Sequence, residues 1–209
     1  MNRTDNQAGF TLIELMIVIA ILGLLAAVLL PNIMGARDAA GETATQSTFL
    51  QLENACKTFQ RKHGIFPPAD LQYPESGHPL AKATEGWKTD NGKNTPIESL
   101  VAFVSLSRSG GTDLSELGDK LCNTDSDSNG VELPLLHTKD RNEVADAWRT
   151  PIAYFTKFTL KKPQMIVSFD GTELEARAVA AGPGDKYQFL SAGKDGTFGT
   201  DDDLVWPEN

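Results

Sequence analysis

The chain has 209 residues, 40% of them hydrophobic and 22% charged, and its 28 acidic side chains outnumber 19 basic ones to give a formal net charge of −9. That length suits one ordinary domain with an appendage. The acidic balance and the lack of any Lys/Arg-rich run exclude a nucleic-acid partner, because phosphate binding draws on clustered cations that release counterions. The apolar fraction excludes a disordered chain.

The apolar residues are unevenly placed. Leu15 to Leu30 is an unbroken 16-residue stretch without charge. Widened to Phe10–Met34 it reaches about 25 residues, roughly 37 Å of helix against about 30 Å of bilayer hydrocarbon, enough to cross a membrane once. A secretory signal would place a small-residue cleavage site after a shorter apolar run. Here Ala26-Ala27 lead to Pro31-Asn32 and further helix-forming sequence, so a retained anchor is expected. Glu14 stands directly against this block, where a carboxylate costs roughly 2.5 to 3.5 kcal/mol to insert and calls for a partner. Either it lies at the interface and snorkels to water, or it pairs.

Ahead of the block the chain reads Gly9-Phe10-Thr11-Leu12-Ile13-Glu14, after a short polar leader, Met1 to Ala8, that carries Arg3. This pattern resembles the type IV pilin and pseudopilin family. The resemblance implies cleavage between Gly9 and Phe10 by a prepilin peptidase, followed by N-methylation of Phe10. A glycine before the scissile bond removes side-chain bulk where a protease must approach the backbone, and the cut leaves the anchor whole. Phe10 then carries a free cationic amine, and a helix places residues i and i+4 on one face. Glu14 thereby acquires a partner, either its own N-terminus or, as the resemblance implies, the N-terminus of a neighbouring subunit in a filament. Such a pair works as a register check, because an unpaired carboxylate among packed apolar helices is costly. Gly23 and Pro31 interrupt the run. Pro31 removes one backbone hydrogen bond and is expected to loosen the helix, and the two residues match the ends of a segment that unwinds in filaments of the family.

Beyond Met34 the sequence turns polar but keeps helical periodicity, with Phe49, Leu52, Cys56 and Phe59 at i, i+3, i+7 and i+10. That stripe is the expected seat of a globular domain. The helix is expected to end at Gly64, because glycine is favoured just past a helix C-terminus and Pro67-Pro68 cannot continue it. From Ala69 to Ala145, scattered Gly, Pro, Ser, Asn and Asp predict loops with one or two short helices, with one apolar patch, Ile97 to Leu106, that reads as a short helix or strand. Within it Asp125-Ser126-Asp127-Ser128-Asn129-Gly130 imitates the start of an EF-hand loop, but the twelfth position is Leu136 where a bidentate Glu belongs. A solvated Asp/Ser/Asn turn is the plainer reading. Cys56 and Cys122 are expected to form a disulfide if the domain faces an oxidising compartment, closing a loop of about 65 residues worth about 4 kcal/mol on the chain-entropy model.

Strand signals gather in the last third: Pro151 to Thr159, Met165 to Phe169, Glu175 to Ala180 and Tyr187 to Ser191, separated by Lys-Lys-Pro, Asp-Gly and Gly-Pro-Gly breaks. They predict an antiparallel sheet that covers the helical stripe. Asp146-Ala147-Trp148-Arg149-Thr150-Pro151 loosely resembles the pseudopilin segment in the same place. Then comes Ser191-Ala192-Gly193-Lys194-Asp195-Gly196-Thr197-Phe198-Gly199-Thr200-Asp201-Asp202-Asp203-Leu204, with four carboxylates within nine residues. Like charges so close repel, and a hard cation taking six to eight oxygens at about 2.3 to 2.6 Å would neutralise them. Calcium suits this flexible set of oxygen ligands better than magnesium, and zinc is disfavoured without Cys or His nearby. The loop also resembles the C-terminal calcium site of the major pseudopilin of type II secretion systems. That resemblance implies Asp195, Asp202 and Asp203 as side-chain ligands with a backbone carbonyl near Ala192, and leaves Asp201 open.

His63, His78 and His137 show no ligand or triad spacing, and no nucleophile elbow or phosphate-cradling glycine loop occurs, so no enzyme is expected. The expected fold is α+β: a long N-terminal helix, transmembrane in its first half and amphipathic in its second, packed on a small antiparallel β-sheet head, the pilin fold. The expected parts are a leader at 1–9, an assembly helix at 10–34, its amphipathic continuation at 35–64, a loop-rich insertion at 65–145, and a sheet with its acidic loop at 146–209. The resemblance implies a single-pass inner-membrane protein with a periplasmic head that polymerises with itself into a pseudopilus. Its implied partners are other pseudopilins, the prepilin peptidase and the inner-membrane assembly platform. The alternatives are a type IV pilus pilin working in adhesion, motility or DNA uptake, and a minor pseudopilin.

Overall fold

A computed structural model describes residues 11–107, 114–179 and 186–207. They fall into two units, one up to Ala40 and one from Gly41 onward. The first is helical from Leu12, as the opening part of α1 (Leu12–His63). Its large apolar side chains from Leu12 to Met34 all stand 47% or more exposed. A helix so apolar and so bare is long enough to cross a membrane. The helix runs through Gly23 and Pro31 without a break, and Asn32 turns its side-chain amide inward to donate to the Val28 carbonyl at 3.1 Å.

The second unit is built on the rest of α1. Phe49, Leu52, Cys56 and Phe59, the predicted stripe, are at most 2% exposed, and Ala55 joins them. The stripe opens at Gly41, where a Cβ would run into the Trp148 ring, so only glycine allows this approach. One turn on, the Thr45 hydroxyl accepts from the Ala147 amide at 3.1 Å. At the other end Gly64 takes φ +78° and donates to the Gln60 carbonyl at 2.7 Å, a left-handed cap that stops the helix.

The middle of the chain holds α2 (Pro79–Thr84), α3 (Thr95–Leu106), 3-10 turns over Leu114–Lys120, β1 (Leu121–Cys122), β2 (Ser128–Leu133), β3 (Thr138–Asp140) and β4 (Glu143–Val144). Besides loops, it supplies a central helix. Ile97, Leu100, Val101, Phe103 and Val104 of α3 are at most 1% exposed and join the stripe of α1 in one core. Apolar residues on every side of this helix explain why periodicity left its type open: a segment buried all round has no polar face to mark its pitch.

The last third holds β5 (Ala153–Thr156), β6 (Gln164–Val167), β7 (Glu173–Ala176), β8 (Tyr187–Ser191) and β9 (Leu204–Trp206). Among the described residues all pairing is antiparallel, in four small sheets: β1 with β4, β2 with β3, β6 with β7, and a three-stranded sheet in the order β5-β8-β9. In the three-stranded sheet β5 and β8 are buried on both faces, and β9 is half-buried. Tyr154, Tyr187 and Phe189 face the core of α1 and α3, with Phe189 stacked on Phe49 at 6.1 Å. Alternate residues Ala153, Phe155 and Leu190 face a second cluster with Ile166 and Ala176 of the β6–β7 hairpin. This period of two is the pleat of a strand with apolar layers on either side. The fold is the expected α+β architecture.

Candidate functional site: N-terminal motif and acidic loop

Gly9 and Phe10, the expected cleavage pair, lie outside the described residues, as does the leader. The described chain opens at Thr11. The Thr11 hydroxyl accepts from the Glu14 backbone amide at 3.3 Å, while the Glu14 carboxylate accepts from the Thr11 amide at 2.8 Å and its hydroxyl at 2.7 Å. This is a capping box, a Thr-x-x-Glu pattern in which two helix-end donors are satisfied reciprocally. Glu14 thus has a local partner that sequence reading did not name, although the spacing that signals it is plain. The carboxylate therefore caps the start of the helix.

The acidic loop joins β8 to β9 and so hangs between two hydrogen-bonded strands. Its base is buried: Ser191 and Ala192 are fully buried, and the Ser191 hydroxyl donates to Asp146 at 2.6 Å. Gly193 follows at φ +62°, and a Cβ there would overlap the backbone carbonyl of Asp202, so the two ends of the loop close on each other only through glycine. The aspartates organise the turn. Asp202 accepts from the Asp195 amide at 3.0 Å and the Thr200 hydroxyl at 2.7 Å, Asp195 accepts from the Thr197 amide at 2.8 Å, and Asp203 accepts from the Gly199 amide at 2.7 Å. The Thr200 hydroxyl holds the Asp202 carboxyl below the usual carboxylate range. Burial pushes Asp203 up, with Asp202 and Asp195 adding repulsion.

Asp203 also keeps one buried oxygen, Oδ1, without a hydrogen-bond partner among the described residues. The loop is all-oxygen and holds one orphaned carboxylate oxygen, the chemistry a hard cation would use, but among the described residues Asp195, Asp202 and Asp203 do not form a group of three whose ligand oxygens lie within 4.8 Å of one another. Asp201 is exposed, apart from this hydrogen-bonded group.

The expected bridge between Cys56 and Cys122 is not formed, and both are free thiols. Cys56 is wholly buried in the α1 stripe, whereas Cys122 sits in β1 with its thiol against the Glu143 carbonyl at 3.9 Å. The two belong to different packing environments, and burial raises both thiols above their ordinary range. The Asp125–Gly130 segment is a turn leading into β2, with Ser126 and Gly130 at positive φ. It is not an exposed acidic turn: Asp127 receives a hydrogen bond from Arg141 at 2.6 Å, and Asn129 is fully buried.

An apolar N-terminal helix opened by a threonine–glutamate cap, and small antiparallel sheets packed on the helix's later turns, define a pilin-type protein. Residues 4–30 match the model of the prokaryotic N-terminal methylation motif. The chain is 31% identical over 102 residues to the type II secretion system core protein G of Klebsiella pneumoniae, covering 41% of this chain and 73% of that one. It belongs to that family. It is 40% identical over 67 residues to the core protein G of Escherichia coli, covering 32% of this chain and 46% of the relative, so it spans about half the length of that protein. It is also 63% identical over 60 residues to the type IV wide pilus major component PilA4 of Thermus thermophilus, covering 29% and 43% respectively. No solved structure matches the chain.

Proposed function

We propose that this chain is a structural, non-catalytic subunit that polymerises through its N-terminal helix into the periplasmic pseudopilus of a type II protein secretion system. The observation that carries the reading is the direct succession of methylation motif and membrane-length apolar helix in a chain of the core protein G family. Prepilin peptidase cuts between Gly9 and Phe10 and methylates Phe10. The segment from Phe10 to about Met34 crosses the inner membrane once, and the remainder stands in the periplasm.

The bare apolar side chains from Leu12 to Met34 support this assignment, because such a surface needs lipid or other helices around it. On assembly the same helices pack against one another, and Glu14 meets the Phe10 amine of a neighbouring copy. Other pseudopilins and the inner-membrane assembly platform complete the partners. The acidic loop takes calcium through Asp195, Asp202 and Asp203 with a carbonyl near Ala192. A bound ion supplies charge neutralisation there and orders the segment between β8 and β9.

The similarity to a wide-pilus component favours one second reading, a type IV pilus pilin, which shares the N-terminal helix and its processing. Two measurements test the assignment. N-terminal sequencing of the membrane-bound protein is expected to begin at methylated Phe10; an intact Met1 or a start beyond Ala27 refutes the processing. Deleting the gene is expected to abolish export of folded proteins with surface pili retained, and the opposite outcome transfers the chain to the pilus.

A further inference from the structure

Away from the acidic loop, the middle segment gathers five carboxylates from four separate stretches of chain. Glu98 comes from the first turn of α3, Asp125 and Asp127 from the turn before and into β2, Glu143 from β4, and Asp90 from the loop ahead of α3. Oxygens of Asp90, Glu98 and Asp127 lie within 4.8 Å of one another, and so do those of Glu98, Asp125 and Glu143. Glu98 belongs to both triads. It is 0% exposed, and among the described residues neither of its oxygens has a hydrogen-bond partner. One oxygen each of Asp125 and Asp127 is buried and unpartnered in the same way.

The surrounding residues hold this arrangement in place. Glu143 accepts from the Asn94 amide at 2.8 Å and from the Thr124 amide at 3.2 Å. Asp90 accepts from the Thr95 hydroxyl at 2.5 Å and from Arg141 at 2.8 Å, and Asp125 from the Asn91 amide at 2.9 Å. The buried Arg141 guanidinium spans Asp90 and Asp127, and it is the cation hydrogen-bonded to the group among the described residues. One positive charge set against five carboxylates leaves the cluster strongly negative in a buried setting, where an unpaired charge is most costly.

Neither Glu98 oxygen receives a hydrogen bond from a described residue, so the partners a buried carboxylate needs are unmet within the protein. A divalent cation satisfies several of these oxygens at once.

We propose that the cluster is a second cation site that takes calcium, with Glu98 as its buried anchor, Asp125 and Asp127 offering their free oxygens, and Asp90 and Glu143 closing the shell. The oxygen-only, carboxylate-rich, irregular ligand set suits calcium, which tolerates varied geometry at about 6 to 8 oxygens, better than magnesium, which keeps its waters and near-octahedral order. The ion ties α3, the turn into β2, and β4 together, so the middle segment is cross-linked by metal where the cysteines form no bridge. This site is independent of the acidic loop.

The test is calcium bound per chain, by equilibrium dialysis and metal analysis, on the full-length protein in detergent, with thermal melting in calcium and in chelator. Glu98→Gln keeps the side chain's shape while removing its charge. It is expected to fold in chelator, to bind one calcium fewer than the parent, and to lose the calcium-dependent rise in Tm contributed by this site. Asp203→Ala, which removes an acidic-loop ligand, is expected to retain the Glu98-dependent calcium, and Asp125→Asn to weaken it at least tenfold. Equal calcium in Glu98→Gln and parent overturns the proposal, as does an Asp203→Ala protein that binds none. A parent chain that binds one ion, lost in Asp203→Ala and kept in Glu98→Gln, leaves the acidic loop as the sole site.

Discussion

Gly193 shows how tightly single residues are specified in the acidic loop. Its φ of +62° is a conformation L side chains seldom adopt, and the Asp202 carbonyl occupies the space a Cβ would need. Gly193→Ala is therefore expected to cost about 1 to 3 kcal/mol of stability through backbone strain, read as a lower denaturant midpoint with an unchanged slope. The same change at Gly64, which caps α1 with open space around its Cβ position, carries strain without a clash and should cost less. Glu14 is specified differently. The Thr11–Glu14 reciprocal bonds are local, three residues apart, and legible in the spacing.

Among the elements, the second half of α1 and the helix α3 were not equally legible. The stripe of Phe49, Leu52, Cys56 and Phe59 reads directly because polar residues mark the other faces. In α3 ten consecutive residues from Pro96 to Ser105 are buried, so the pattern carries no face and its length alone favours helix. Buried Ser99 and Ser105 are accommodated by donating to the Pro68 carbonyl at 2.6 Å and the Ala102 carbonyl at 2.8 Å. Leu52 lies at 0% exposure where α1 meets the core, and Leu52→Ala is expected to cost about 2 to 5 kcal/mol by chemical denaturation. A loss under about 1 kcal/mol would show that the helix does not bury this face in solution. The strands β1 to β4 escaped sequence reading because they are two to six residues long and mix polar with apolar positions. Their pairing is a matter of which distant partner lies alongside.

For the whole molecule, the division at Ala40 separates a described stretch in which no residue is buried from residues that make the core. The first group can be stabilised only by lipid or by other copies. Asp203→Ala is expected to leave cleavage at Gly9 intact, since the changed residue is remote in sequence from the motif, while lowering filament yield and protein export severalfold. Membrane fractionation, filament imaging and an export assay read the three steps separately. Normal filaments from Asp203→Ala, with no calcium in the loop, would remove the ion from assembly.

By itself the sequence determined the chemistry of the N-terminal region. A methylation motif, a membrane-length apolar run and an amphipathic stripe are contiguous, so their roles follow from spacing along one helix. It also determined that the 195–203 loop would concentrate carboxylates, for the same reason. The tertiary structure decided what contiguity cannot encode. It placed α3 in the core, left Cys56 and Cys122 unbridged, split the expected sheet into two, and brought Asp90, Glu98, Asp125, Asp127 and Glu143 into two buried triads that share Glu98. Those five residues are scattered widely along the chain, and only the packing of α3 against β2 and β4 turns a scatter of acids into a cage of oxygens.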